Sequence, residues 1–67
     1  MTQDERVFAL EAMVDDADLS EVLNSLAVVC FEKSEHLLCN WQDKTAAKEW
    51  EKAGRLINRT SSKLEHI

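Results

Sequence analysis

Two cysteines and a histidine in the middle of the chain have side chains that could bind a metal ion. Cys30, His36 and Cys39 are of the types that form tetrahedral zinc sites, but such sites usually pair their cysteines more closely than nine residues apart. On one helix these cysteines would lie about 13.5 Å apart along the axis and on opposite faces, too far for a disulfide. A fourth ligand would have to be His66 or a carboxylate. We therefore interpret Cys30 as a buried small residue and Cys39 as a partly exposed thiol, and expect no metal or other cofactor.

The other sets of reactive residues are equally weak as catalytic sites. Ser34 and His36 are two residues apart and would point away from each other on a helix. The acidic stretch DDADLSE does not fit a calcium loop starting at Asp16, because Glu21 and Ala27 stand where such a loop needs Gly and Glu. The single glycine rules out a Gly-rich phosphate loop. We expect neither an enzyme nor a small-molecule substrate.

The elements that carry these residues are predicted to be helices. The chain of 67 residues has one Gly, no Pro and no Tyr, which favours helix over a turn-rich β-fold. Start signals at Thr2 with Glu5, at Asp18 with Glu21, and near residues 42–45 predict helices over about 3–14, 19–41 and 45–64. We predict a single all-α domain, in which a short first helix precedes a longer antiparallel helical hairpin.

Apolar residues at helical spacing predict which faces pack inward. In the second helix they form a broad arc: Leu19, Leu23, Leu26, Cys30, Leu37 and Trp41. In the third they form one line: Ala46, Trp50, Ala53, Ile57 and Leu64. A single long helix would put these two sets on opposite sides, so a break near residues 42–45, capped by Asp43 or Thr45, is expected. The two tryptophans would then close the hairpin end of the core, and Gly54 would allow close helix approach.

Residues 26–41 have a competing interpretation as a β-hairpin. The run LAVVCF favours β-structure in isolation. EKSEH is a poor turn, however, and helical periodicity continues on both sides of it. We favour the helix, while the continuity of residues 26–41 stays open.

Charge is distributed unevenly along the chain. The net charge is −5, yet residues 44–64 hold six basic and two acidic residues, whereas residues 1–21 hold one basic and seven acidic. The six cations fall at intervals of three and four residues and so form one line down the third helix: Lys44, Lys48, Lys52, Arg55, Arg59 and Lys63. We call this line the basic stripe, and its phase turns it away from the predicted core.

Three functions compete for the basic stripe. It could be a solvated face, it could meet an acidic protein surface, or it could follow nucleic-acid phosphates. An acidic protein is a poor candidate for binding nucleic acid, although the DDADLSE end could instead mimic it. We predict a protein–protein interaction module that self-associates and whose basic stripe contacts an acidic protein surface, with nucleic-acid binding or mimicry as the alternative. The expected contact residues are Lys48, Lys52, Arg55 and Arg59, with Val28 and Phe31 as apolar contacts.

The cellular location is predicted only by default. No basic stretch precedes an apolar one in residues 1–20, and the longest apolar run, residues 26–31, is far shorter than the roughly 20 residues that a membrane span needs. We therefore expect a cytoplasmic protein with no membrane association.

Overall fold

The chain forms three α-helices joined by short turns. The computed structural model describes residues 1–64, in which α1 spans Gln3–Asp16, α2 spans Leu19–His36 and α3 spans Lys44–Lys63. The all-α fold class predicted from the sequence is confirmed. The alternative of a β-hairpin over residues 26–41 is wrong, because helix runs through the whole of that segment.

Side-chain oxygens fix where each helix begins. Thr2 and Glu5 form a reciprocal capping box at α1, in which each side chain accepts from the other residue's backbone N–H. These hydrogen bonds to Thr2 hold the pKa of the Glu5 carboxyl below its ordinary value, because they favour the charged form. Asp18 caps α2 and Asp43 caps α3 through single hydrogen bonds, in which their carboxylates accept from the backbone N–H groups of Glu21 and Ala46, so the predicted start signals are the ones that the structure uses.

The end of α2 is wider than an α-helix. Residues Leu37–Trp41 form one π-helical turn, which is closed by the N–H groups of Gln42 and Asp43 donating to the carbonyl of Leu37. Gln42 then adopts the left-handed conformation at φ 51°, which is what stops the helix before Asp43 starts α3. A glycine would take this conformation without strain, and its absence is why the sequence marks the turn so weakly.

A line of small residues forms the contact between α2 and α3. Its members are seven residues apart on each helix: part-buried Ser20 and buried Ala27 and Ser34 on α2, and buried Ala47, Gly54 and Ser61 on α3, while Cys30, which is also buried on α2, lies beside this line. We call this line the seam. Gly54 makes room for the Phe31 ring, whose Cε1 atom would lie only 2.8 Å from a Cβ at that position.

Hydrogen bonds at both ends of the seam fix its antiparallel register. Ser20 and Ser61 each donate to the other's backbone carbonyl, at 3.1 and 2.8 Å. At the other end the Ser34 hydroxyl donates to the carbonyl of Ala47 at 2.8 Å. Ala27 lies seven residues from either serine of α2, so the same register places it opposite Gly54.

The predicted core residues are rotated away from this seam. The apolar lines were expected to face inward, with Trp41 and Trp50 closing the core. Instead Trp41 is 71% exposed, Trp50 is 40% exposed, and no large side chain of the described residues is fully buried. Cys30 is buried and most of the other predicted core residues are half-buried, so the prediction is wrong for Leu26, Trp41 and Trp50. Small residues let the helix backbones approach closely, which leaves these larger side chains beside the contact rather than in it.

The three helices lie in a single layer. α1 contacts α2 but not α3, and it buries none of its residues. The molecule measures 37 × 30 × 14 Å, so its thickness is close to the diameter of one helix with its side chains. The chain therefore has a packed helical hairpin with α1 in limited contact with α2 at one edge, and residues 1–64 form no common three-helix core.

We predict that enlarging the centre of the seam destabilises the fold. Ala27 is 1% exposed and lies opposite Gly54, so Ala27→Leu should lower the free energy of unfolding by about 1–3 kcal/mol through overpacking. Urea denaturation followed by circular dichroism measures the change. Ala12→Leu on the exposed side of α1 is the control and should stay within about 0.5 kcal/mol of the wild type. Equal effects from both substitutions would show that the seam is not tightly packed.

We predict the opposite effect at the left-handed turn. Gln42→Gly should raise the free energy of unfolding by about 0.5–1 kcal/mol, because glycine removes the strain of a side chain at positive φ. Asn40→Gly, two residues earlier in helical geometry, should lower it by a few tenths of a kcal/mol. The same denaturation experiment checks the pair, and a Gln42→Gly protein less stable than the wild type would contradict the argument.

Candidate interaction surfaces

One side of the hairpin carries most of the large apolar side chains. Because α2 and α3 run in opposite directions, residues three positions after a seam residue lie on the same side of the pair in both helices. This rule places the following residues together: Leu23 and Cys30 of α2 and Leu37 of the π-helical turn, with Trp50 and Ile57 of α3 and its C-terminal cap Leu64. We call this side, together with the neighbouring Leu26, the apolar face.

The apolar face is only partly covered by the chain itself. Leu23, Ile57 and Leu64 are half-buried, and Cys30 is buried. Leu26, at 46% exposed, and Trp50 remain open to solvent. A face of this kind, apolar and with an exposed aromatic residue, has the composition of the buried part of a protein interface.

A groove between α1 and α2 extends the apolar face. Leu10 and Met13 of α1 line one wall, and Val22, Leu26 and Val29 of α2 line the other. Leu26 belongs to both surfaces, so the groove and the apolar face are continuous. From the sequence, Leu26 is predicted to lie in the core, and no residue of α1 is predicted to be a contact. The signal that could have revealed this surface was the heptad spacing of Ser20, Ala27 and Ser34, which marks the true contact line.

The outer edge of α3, turned away from α2 and toward the side opposite the apolar face, carries the basic stripe. Lys48, Lys52, Arg55 and Arg59 are all exposed there, in the line that the sequence predicts. Arg55 forms an ion pair with Glu51 one turn earlier on α3. It is the single ion pair within residues 1–64, so Lys48, Lys52 and Arg59 have no acidic side chain within ion-pair distance there.

The two predicted apolar contacts, Val28 and Phe31, lie on this charged side too. Val28 is 49% exposed. Phe31 is also exposed, but its ring packs on Gly54 and so contributes to the seam. The structure therefore brings the predicted contact residues onto one side of the hairpin, and leaves their binding role a prediction.

The residues considered for metal binding do not converge. Cys30 is buried and Cys39 is exposed, and the Nδ1 atom of His36 is 2.8 Å from the Asn40 amide nitrogen. Across the part of the chain that the structure describes, no three His, Cys, Asp or Glu side chains come together as metal ligands. His66, the remaining possible ligand, lies outside the described residues.

Ser34 has a structural role rather than the geometry of a nucleophile. It is buried, and its hydroxyl proton is directed at the carbonyl of Ala47. His36 lies on the surface and is turned toward Asn40, so the two side chains do not form a nucleophile–base pair.

Comparison with known proteins gives no relative from which a function could be transferred. No family model, no curated protein and no solved structure matches the chain. Within residues 1–64, no helix is long and apolar enough to cross a bilayer. The two sides of the hairpin are therefore the features from which we infer a function.

We predict that the basic stripe binds acidic polypeptide. A fluorescent polyglutamate peptide at low salt should bind wild-type protein, and Lys52→Glu should weaken binding about fivefold, since an exposed ion pair contributes up to about 1 kcal/mol. Lys33→Glu makes the same charge change on α2, outside the stripe, and should have little effect. Fluorescence anisotropy measures both. Equal weakening by the two variants would show that only net charge matters.

Proposed function

We propose that this protein is a non-enzymatic protein–protein interaction module whose apolar face is the contact surface. The observation that carries the proposal is the separation of small and large apolar side chains. Small residues occupy the buried seam, whereas Leu26 and Trp50 stay exposed on one side. A protein bound there would remove from water the apolar surface that the chain cannot cover alone.

The energetics of a small domain support this proposal. A chain of this length buries only about 60% of its unfolded surface even when it is compact. Among the residues that the structure describes, the buried apolar ones are Ala27, Cys30 and Ala47, which are all small, so the contact between α2 and α3 supplies little hydrophobic stabilisation. A contact on the apolar face would supply more, and so couple folding to association.

The charged side of the hairpin supports a second, weaker contact with an acidic protein surface. Lys48, Lys52 and Arg59 are exposed without ion-pair partners among residues 1–64, which leaves them free to pair with another molecule. Charge complementarity of this kind steers association more than it adds affinity. Nucleic acid is the alternative ligand for the same stripe, although the net charge of −5 disfavours it.

Site-specific photo-crosslinking in the producing cell tests the main contact. A photoreactive amino acid at Trp50 lies on the apolar face, and one at Lys52 lies on the charged side of the same helix. Crosslinked protein adducts should form in higher yield from position 50 than from position 52. Adducts to either another protein or a second copy support the proposal. An absence of adducts at position 50, or equal yield at both positions, would refute it.

A further inference from the structure

We propose that the apolar face binds the same face of a second copy, so that two single-layer chains form a two-layer, two-fold dimer. This inference rests on the proposed function, since it names the partner of the same surface. In this dimer the two-fold axis runs parallel to α2, and α1 of each copy lies over α3 of the other.

The chain leaves more surface exposed than a compact monomer of its mass would. The chain exposes 5482 Å². A compact monomer of its mass, 7.7 kDa, would expose about 4,300 Å². The excess is about 1,200 Å² per chain, so a dimer that covered it on both copies would bury about 2,400 Å² in total. That area falls in the size class of obligate homodimers.

The chain is also less compact than a stable domain of its length. The Cα radius of gyration is 13.6 Å, whereas a compact domain of this length has a value of about 11 Å. Stable domains bury their apolar faces between at least two layers of secondary structure. This chain provides only one layer, 14 Å thick. A second copy provides the missing layer, with an apolar face that is matched in area and extent because it is the same surface.

The distribution of charge selects the direction of the two-fold axis. α1 and α3 lie on opposite edges of the layer, since each contacts α2 and they do not contact each other. The α1 edge is strongly acidic over residues 1–21, and the α3 edge is basic over residues 44–64. A two-fold axis along α2 sets each acidic edge over the partner's basic edge. An axis across α2 would instead set two acidic edges against each other.

Sedimentation velocity of purified protein at micromolar concentration tests the dimer. The wild type should sediment with twice the monomer mass of 7.7 kDa. Leu26→Asp should shift it to monomer, because it places a charge in the proposed interface. Val28→Asp is the matched control, since Val28 is 49% exposed on the other side of the same helix, and it should remain dimeric. A monomeric wild type, or dissociation by Val28→Asp but not by Leu26→Asp, would overturn the proposal.

A second measurement covers the case in which Leu26→Asp fails to fold. The urea midpoint of the wild-type protein should rise with protein concentration if folding and dimerisation are coupled, and a midpoint independent of concentration would refute the dimer. If the dimer is refuted, the proposed function can still be tested separately. A monomer whose position 50 still crosslinks to another protein would keep the interaction module and remove the self-association.

Isotope-filtered NMR on a mixture of labelled and unlabelled chains tests the arrangement. α1 does not contact α3 within one chain, so a contact between Met13 and Trp50 can arise only between copies. Such α1–α3 contacts across copies are expected. Intermolecular contacts confined to α1 against α1 would refute the two-fold axis along α2.

Discussion

The close approach of α2 and α3 along the small-residue seam is the constraint on which the rest of the structure depends. Gly54 lacks the Cβ that would meet the Phe31 ring, and the seam serines reach the backbone of the facing helix. These hydrogen bonds specify one antiparallel register. A seam of alanines alone would pack closely but would slide more easily, because it offers no directional contact.

This constraint also determines where the large side chains go. When two helices touch through small residues, the long side chains next to the contact line cannot enter it and spread to either side. On one side the result is the apolar face around Leu26 and Trp50. On the other side Phe31 fills the gap over Gly54, and the basic stripe lies beyond it at the outer edge of α3. One packing choice therefore produces a mainly apolar side and a second side that combines exposed apolar residues such as Val28 with a basic edge.

Local signals predicted the elements well and the packing poorly. The capping residues Thr2, Asp18 and Asp43 act within three residues of themselves, so their pattern can be interpreted without knowing the fold. The turn at Gln42 was located by the phase of the apolar residues, although no glycine marks it. The inward face of α3 was misplaced, because hydrophobicity weights Trp50 above Ala47 and Gly54 whereas close packing depends on size. The exposed basic stripe was predicted correctly as a line, because charge and helical period are both local properties.

The sequence by itself determined that the chain is helical, where each helix starts, and that its cations share one line of α3, because each of these follows from local hydrogen bonding and a fixed helical period. Only the tertiary structure decided which line of each helix becomes the seam, since that choice depends on how closely two backbones can approach. It also decided that α1 lies beside the hairpin rather than over it. With no third helix covering the apolar face, the surface that the sequence assigns to a core becomes the surface through which we propose that the protein associates.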